Sequence, residues 1–253
     1  MTPTVTPLAL IGDSHLGAIK RAFELSPELA AGRPLRFHAF GPGGEATRPF
    51  FTVSPSGGHV ATTAPRWRNL TLDRQSFAGP EGQGALIALS LPLNTARILR
   101  TVSWDRHVPW ELQVSEAEIP LSRQTVQALI EQDCGHAVAY ARAVAALGLG
   151  LVVIEGPRCF AHAPYVKRLR PEVCLEIDSR YRVAVGAALA EAGIAVVPQP
   201  AGTITPEGFT DPAFRHENAS DAHHANAAYG RQVLRAILDH AARLEMEEGG
   251  AAG

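Results

Sequence analysis

Two kinds of apolar segment alternate along the chain, and this alternation constrains the fold more than any other feature. Short apolar runs at residues 7–11, 85–89, 151–154 and 194–197, and a fifth at 35–40 that carries Arg36 and His38, read as strands. A strand with one wet face would alternate polar and apolar residues, so these are buried on both faces. Between them lie helical stripes. Over residues 123–147, Val126, Leu129, Ile130, Cys134, Ala137, Val138, Ala141, Val144 and Ala145 share one face. Gly148 then stands where a helix C′ residue belongs. Pro171 can open a second helix at its first position, with Val173, Ile177, Tyr181 and Val185 at four-residue spacing and Gly193 closing it. A last helix carries Val233, Leu234, Ile237, Leu238, Ala241 and Leu244 before a Glu/Gly/Ala tail.

Strand–helix alternation repeated about five times predicts an α/β fold with helices on both faces of a parallel sheet. Right-handed crossovers leave few topologies, and the reading adopted is a three-layer α/β/α sandwich of strand order 2-1-3-4-5. The 253 residues suit one domain, taken as 1–245, with a flexible tail at 246–253. Residues 45–84 and 101–121 are longer than the ~12–15 residues of ordinary loops, so they are read as overhanging a site. In such sheets ligands lie beyond the carboxyl ends of the strands, near the switch between strands one and three.

Composition narrows the function. With 46% hydrophobic and 19% charged residues the chain is globular. Lys+Arg 23 against Asp+Glu 25 leaves −2, so no broad positive field exists to hold nucleic acid or anionic lipid. Cys134, Cys159 and Cys174 make an odd set without a CxxC pair, which argues against a disulfide framework or zinc ribbon. No uncharged apolar stretch reaches 18 residues, and the first twelve residues lack a basic signal-like start. A cytoplasmic protein without a membrane span is expected.

The chemistry is read from the two ends of the chain. The first strand runs into Gly12-Asp13-Ser14-His15, which puts a hydroxyl at the strand's carboxyl end beside a helix N-terminus. A helix cap by Asp13 or Ser14 is the plainer alternative. Serine needs a base, and Asp221-Ala222-His223-His224 before the last helix offers one. Asp221 and His224, three apart, share a face, so the carboxylate can fix the imidazole tautomer. His223 is expected to point elsewhere. Asp13, Asp221, His223 and His224 could instead bind a metal, but three or four converging ligands are normally needed, and no metal or cofactor is expected. Gly12-x-x-x-x-Gly17 is followed by Ala18-Ile19 rather than Lys-Ser/Thr, so a phosphate loop does not fit.

Gly12-Asp13-Ser14-His15 together with Asp221-x-x-His224 resembles the SGNH (GDSL-type) serine hydrolase family. The resemblance implies a 2-1-3-4-5 sandwich, Ser14 as nucleophile, His224 as base and Asp221 as its orienting acid. It also implies an oxyanion site of the Ser14 N–H, a glycine N–H after strand two and an asparagine amide after strand three. Gly44 is preferred for the glycine, with Gly43 the alternative, and Asn94 for the amide, although the Gly-x-Asn-Asp block is reduced here to Leu91-Pro92-Leu93-Asn94-Thr95. His15 replaces the family's usual leucine. The activity implied is hydrolysis of a carboxylic ester with a short acyl group, an O-acetyl on a sugar among the candidates. An acyltransferase with the same triad and a non-catalytic sugar- or acyl-binding module are the alternatives. Trp67, Trp104 and Trp110, in the long loops, are read first as packing those loops down; the sharper alternative is that one stacks on the substrate, with Arg66, Arg68, Arg106 and His107, otherwise a solvated surface, beside them. The partner expected is a small-molecule or glycan ester; nothing in the sequence assigns an oligomeric state.

Overall fold

A computed structural model describes residues 6–67, 69–77 and 85–251. The elements that build the main sheet and its flanks are β1 (Leu8–Gly12), α1 (Leu16–Leu25), β2 (Leu35–Ala39), β6 (Leu86–Ser90), α2 (Ala96–Thr101), α3 (Arg123–Ala146), β9 (Gly150–Ile154), α4 (Pro171–Ala190), β10 (Ala195–Val197) and α5 (Ala227–Ala251). All five strands run parallel, in the order β2-β1-β6-β9-β10. The expected order 2-1-3-4-5 is therefore renumbered. The two long loops contain five short strands of their own: β3 (Phe51–Val53), β4 (His59–Thr62) and β5 (Thr71–Asp73), then β7 (His107–Pro109) and β8 (Ile119–Leu121).

Alternate residues of the central strands feed two separate cores, which is why their sequences are apolar without interruption. Leu8 and Leu10 of β1 pack with α1 and α5 through Ile19, Tyr229, Val233 and Ile237. Ala9 and Ile11 turn to the other face and join Ile130, Ala137, Ile177 and Tyr181 of α3 and α4. The antiparallel sheet β3-β4-β5 adds Val60 and Leu72 to that second core, with Phe50 beside it. Residues 45–84 are thus in part a folded annex rather than a free overhang; Arg68 and residues 78–84 lie outside the described residues. At the other end α5 continues to Ala251, through most of the segment expected as a tail.

Candidate active site

The turn between β1 and α1 occupies Asp13, Ser14 and His15. Asp13 and His15 are buried and Ser14 is exposed. The Asp13 carboxylate Oδ1 accepts the His15 N–H at 3.0 Å, and the Asp13 carbonyl accepts the Leu16 N–H at 3.2 Å. These bonds hold the turn and leave the Ser14 hydroxyl and N–H on its outer side. The Ser14 N–H has no hydrogen-bond partner among the described residues.

His224 arrives from the far end of the chain. Its Nδ1 lies 2.7 Å from Asp221 Oδ2 and its Nε2 lies 2.8 Å from Ser14 Oγ. With Nδ1–H donating to the carboxylate, Nε2 is the ring's bare nitrogen and accepts the serine hydroxyl. Asp221 Oδ1 also accepts the backbone N–H of His224 (3.0 Å) and of His223 (3.3 Å), so the carboxylate is fixed by the turn it orients. That turn is clamped at its base by an antiparallel bridge between Arg215 and Ala225, and by the His216 N–H on the His224 carbonyl (3.1 Å). Asn226 caps α5 by accepting the Tyr229 N–H at 3.1 Å. Arg21 of α1 donates to the Ala225 carbonyl at 2.8 Å, tying the serine's helix to the histidine's segment.

Charges are set by burial and by these bonds. Burial works against a charge on Asp221, but the His224 and His223 N–H groups and the His224 ring hold its carboxyl well below the usual carboxylate range. His223 does not point away: its ring centroid is 4.0 Å from that of His224, and its Nδ1 is 3.4 Å from Asp221 Oδ1. Burial first, and then the neighbouring His224 and Arg100, push its pKa down to about 4. His15, 4.9 Å from His224 between ring centroids, is likewise held neutral, mainly by burial. Asp13 moves the other way, pushed up to about 6 by burial despite the His15 N–H, Arg97 and His224.

The glycines after β2 begin a short 3-10 helix, Gly43–Thr47. A side chain at Gly43 would meet Asp13 Oδ2 at 2.5 Å, whereas one at Gly44 would meet nothing within 4 Å. The Gly44 N–H has no partner among the described residues. Asn94 turns its Oδ1 to the Ala96 N–H (3.1 Å), which leaves its amide NH2 without a partner among the described residues. The next residue, Thr95, donates to Asp178 Oδ1 at 2.5 Å, and Asp178 also takes Arg158 Nη1 and Arg182 Nε at 2.7 and 2.9 Å. The segment carrying Asn94 is thereby braced from α4. Sequence reasoning missed Asp178, as it missed Arg97 and Asp133. A usable signal existed, because Asp133 and Asp178 are acids set inside the apolar stripes of α3 and α4.

Two of the three tryptophans are not substrate platforms. Trp67 is buried, stacks 4.8 Å from Phe40 and donates Nε1–H to the Pro42 carbonyl at 2.9 Å. Trp104 is 1% exposed and donates to the Ile98 carbonyl at 2.9 Å. Each ring is consumed by packing and each N–H by a backbone acceptor. Trp110 is 55% exposed at the start of a 3-10 turn after β7. Arg66 and Arg106 are exposed and His107 half-buried; Arg68 lies outside the described residues. Asp221, His223 and His224 offer ligand atoms within 4.8 Å of one another. A metal on His224 Nδ1 would have to displace the proton shared with Asp221, so the donor set suits proton transfer better than ligation.

Neither the sequence profile of a known protein family nor a curated protein matches the chain. Solved structures similar to it include a protein assigned as an acylhydrolase from Bacteroides fragilis, with TM-score 0.49 and 10% identity over 96% of this chain and 92% of that one. A GDSL-like lipase from Bacteroides thetaiotaomicron has TM-score 0.46 and 11% identity, covering 95% and 91%. A carbohydrate acetylesterase from Sinorhizobium meliloti has TM-score 0.43 and 13% identity, covering 94% and 99%. Likeness at this level assigns no activity to this chain.

Proposed function

We propose that this chain is a serine esterase of SGNH type, cleaving a carboxylic ester through an acyl-enzyme on Ser14. The observation that carries the reading is the hydrogen-bonded line Ser14 Oγ–His224 Nε2–Nδ1–Asp221 Oδ2, at 2.8 and 2.7 Å. His224 removes the hydroxyl proton as Ser14 attacks the carbonyl carbon, and the Asp221 carboxylate stabilises the imidazolium that forms. The negative oxygen meets the N–H of Ser14, the N–H of Gly44 and the amide of Asn94, three donors without partners among the described residues. Those idle donors favour catalysis over a passive binding module. His224 then returns its proton to the leaving alcohol, and the same imidazole activates water to release the acid. A short acyl group, such as an acetyl carried on a sugar, suits this chemistry. Among the described residues no helix is long and apolar enough to cross a membrane. A cytoplasmic small-ester enzyme acting without a metal or cofactor is the reading adopted.

The test is hydrolysis of p-nitrophenyl acetate together with labelling by a fluorophosphonate. Ser14→Ala should abolish labelling, and His224→Ala should cost at least about 10³ in kcat. Asp221→Asn should cost up to about 10⁴ by trapping the wrong tautomer. His223→Ala should stay within about tenfold, because the His223 ring packs on His224 and faces Asp221 Oδ1 but bonds neither Ser14 nor the Nδ1 and Nε2 that carry the proton. Full activity in Ser14→Ala would overturn the proposal.

A further inference from the structure

The oxyanion site in the foregoing reading depends on which way one peptide plane faces, and a largely buried ion pair behind it is hydrogen-bonded to that plane. Arg97 lies in the first turn of α2, three residues after Asn94. Its guanidinium grips Asp133 of α3 through Nε to Oδ1 (2.7 Å) and Nη2 to Oδ2 (2.6 Å), with Nη2 also on the Asp133 carbonyl (2.9 Å). Tyr181 of α4 donates to the same carboxylate at 3.0 Å, so the acid is held from a second helix. Only Nη1 faces outward, and it donates to the Gly43 carbonyl at 3.0 Å. In a trans peptide the carbonyl of one residue and the N–H of the next point in opposite directions. Drawing the Gly43 carbonyl inward therefore turns the Gly44 N–H outward, where it has no partner among the described residues.

We propose that Arg97 is a positioning residue of the esterase, which aims the Gly44 N–H at the ester oxygen by holding the Gly43 carbonyl. Gly43 offers no other handle, since Asp13 Oδ2 occupies the space a side chain would need. A buried Arg–Asp pair adds little net stability, because desolvation offsets its attraction. What it supplies here is direction: a planar fork with two prongs fixed on Asp133 presents the third at a set angle. Arg97 and Asp133 also border a cavity of about 340 Å³ lined by Thr47, Thr101, Leu129 and Gln132, through which a small cation can reach the pair.

The inference rests on the esterase reading, and the experiment separates the two. Steady-state hydrolysis of p-nitrophenyl acetate is measured for Arg97→Ala, Arg97→Lys, Asp133→Asn and Ser14→Ala, with far-UV circular dichroism to verify folding. Misaiming one oxyanion donor should lower kcat about 10- to 100-fold in Arg97→Ala while KM stays within about threefold. Arg97→Lys should fall between, having charge without the fork. Guanidinium chloride at non-denaturing concentration should restore part of kcat in Arg97→Ala, where sodium chloride does not, and should restore nothing in Ser14→Ala. If Arg97→Ala fails to fold, Asp133→Asn, which keeps side-chain shape, must show the same kcat loss at constant KM. Unchanged kcat in a folded Arg97 variant beside an inactive Ser14→Ala overturns the role of Arg97 alone. A loss confined to KM, or no rescue by guanidinium, overturns it too. Full activity in Ser14→Ala overturns the esterase reading itself.

Discussion

An imidazole buried without a partner for one of its nitrogens costs a fold stability, and His15 is such a group. The residue is 9% exposed, and Nδ1 has no hydrogen bond among the described residues. It sits beside Ser14, the proposed nucleophile, but takes no part in the line from Ser14 to Asp221. Being neutral, it also leaves the transient charge on His224 unopposed. A leucine would fill a comparable volume and remove the orphaned nitrogen. His15→Leu is therefore expected to raise stability by about 1–2 kcal/mol in urea denaturation while kcat/KM stays within a few fold. A drop in kcat/KM beyond tenfold would show instead that His15 contributes to the chemistry. The sequence flagged His15 as a departure at this position; only its surroundings, with His223 and His224 at 5.8 and 4.9 Å, say what the departure does.

At the scale of elements, the distance between serine and histidine is governed by how closely α1 and α5 cross. Ser14 lies two residues before α1 and His224 three before α5. At the crossing, a Cβ on Gly230 would stand 2.0 Å from the Ala18 carbonyl oxygen and 2.8 Å from the Ile19 nitrogen. No side-chain rotation relieves a contact with backbone, so Gly230→Ala must push the helices apart. It should destabilise by about 1–3 kcal/mol or more and lower kcat at least tenfold by lengthening the 2.8 Å Ser14–His224 bond. Gly135 is exposed within α3 and a Cβ there meets nothing within 4 Å, so Gly135→Ala should instead stabilise by about 0.5–1 kcal/mol with activity intact. Thermal melts of both variants check the opposite signs. The same contrast marks what the chain revealed before folding. Three long helices were readable because burial of one face imposes a period, and the strands because burial on both faces removes one; that burial holds for β1 and β6 at the centre, whereas the edge strands β2 and β10 leave Arg36, Ala39 and Ala195 exposed. The three- and four-residue strands of the annex were not, because they are too short and too polar to show either pattern. Ser14, Asp221 and His224 were readable as a local motif at each end. For Trp67 and Trp104 the sequence left packing and substrate stacking both open, because the groups that bury them, Phe40, Phe50 and the Ile98 carbonyl, are fixed by tertiary packing that the sequence does not display. Arg97 escaped for the same reason, its partner Asp133 being 36 residues away.

For the molecule as a whole, burial of titratable groups makes stability depend on pH in two opposed ways. Five histidines, His15, His38, His162, His223 and His240, have their pKa lowered in the fold, each chiefly by burial. Below about pH 6.5 the unfolded chain takes up protons at these sites that the folded chain resists, so their stability is complete above that pH and is lost as pH falls. Asp13 does the reverse. Its folded value of about 6 exceeds the unfolded 3.8, so the fold binds a proton first, and the burden of a buried carboxylate is relieved as pH drops through 6. That burden corresponds to about 3 kcal/mol at neutral pH. With five groups against one, the melting temperature should be level between about pH 7 and 8 and fall between 6.5 and 4. Asp13→Asn keeps an acceptor for the His15 N–H but carries no charge. It should melt higher than the parent at pH 7.5 and lose stability more steeply on acidification, because the opposing contribution is gone. Calorimetry across pH 4–8 on both proteins reads the two slopes. A parent that melts higher at pH 4.5 than at pH 7.5 would mean the histidines are not held neutral. An Asp13→Asn variant with no gain at pH 7.5 would mean that Arg97 and His224 already offset the cost of burying the Asp13 charge.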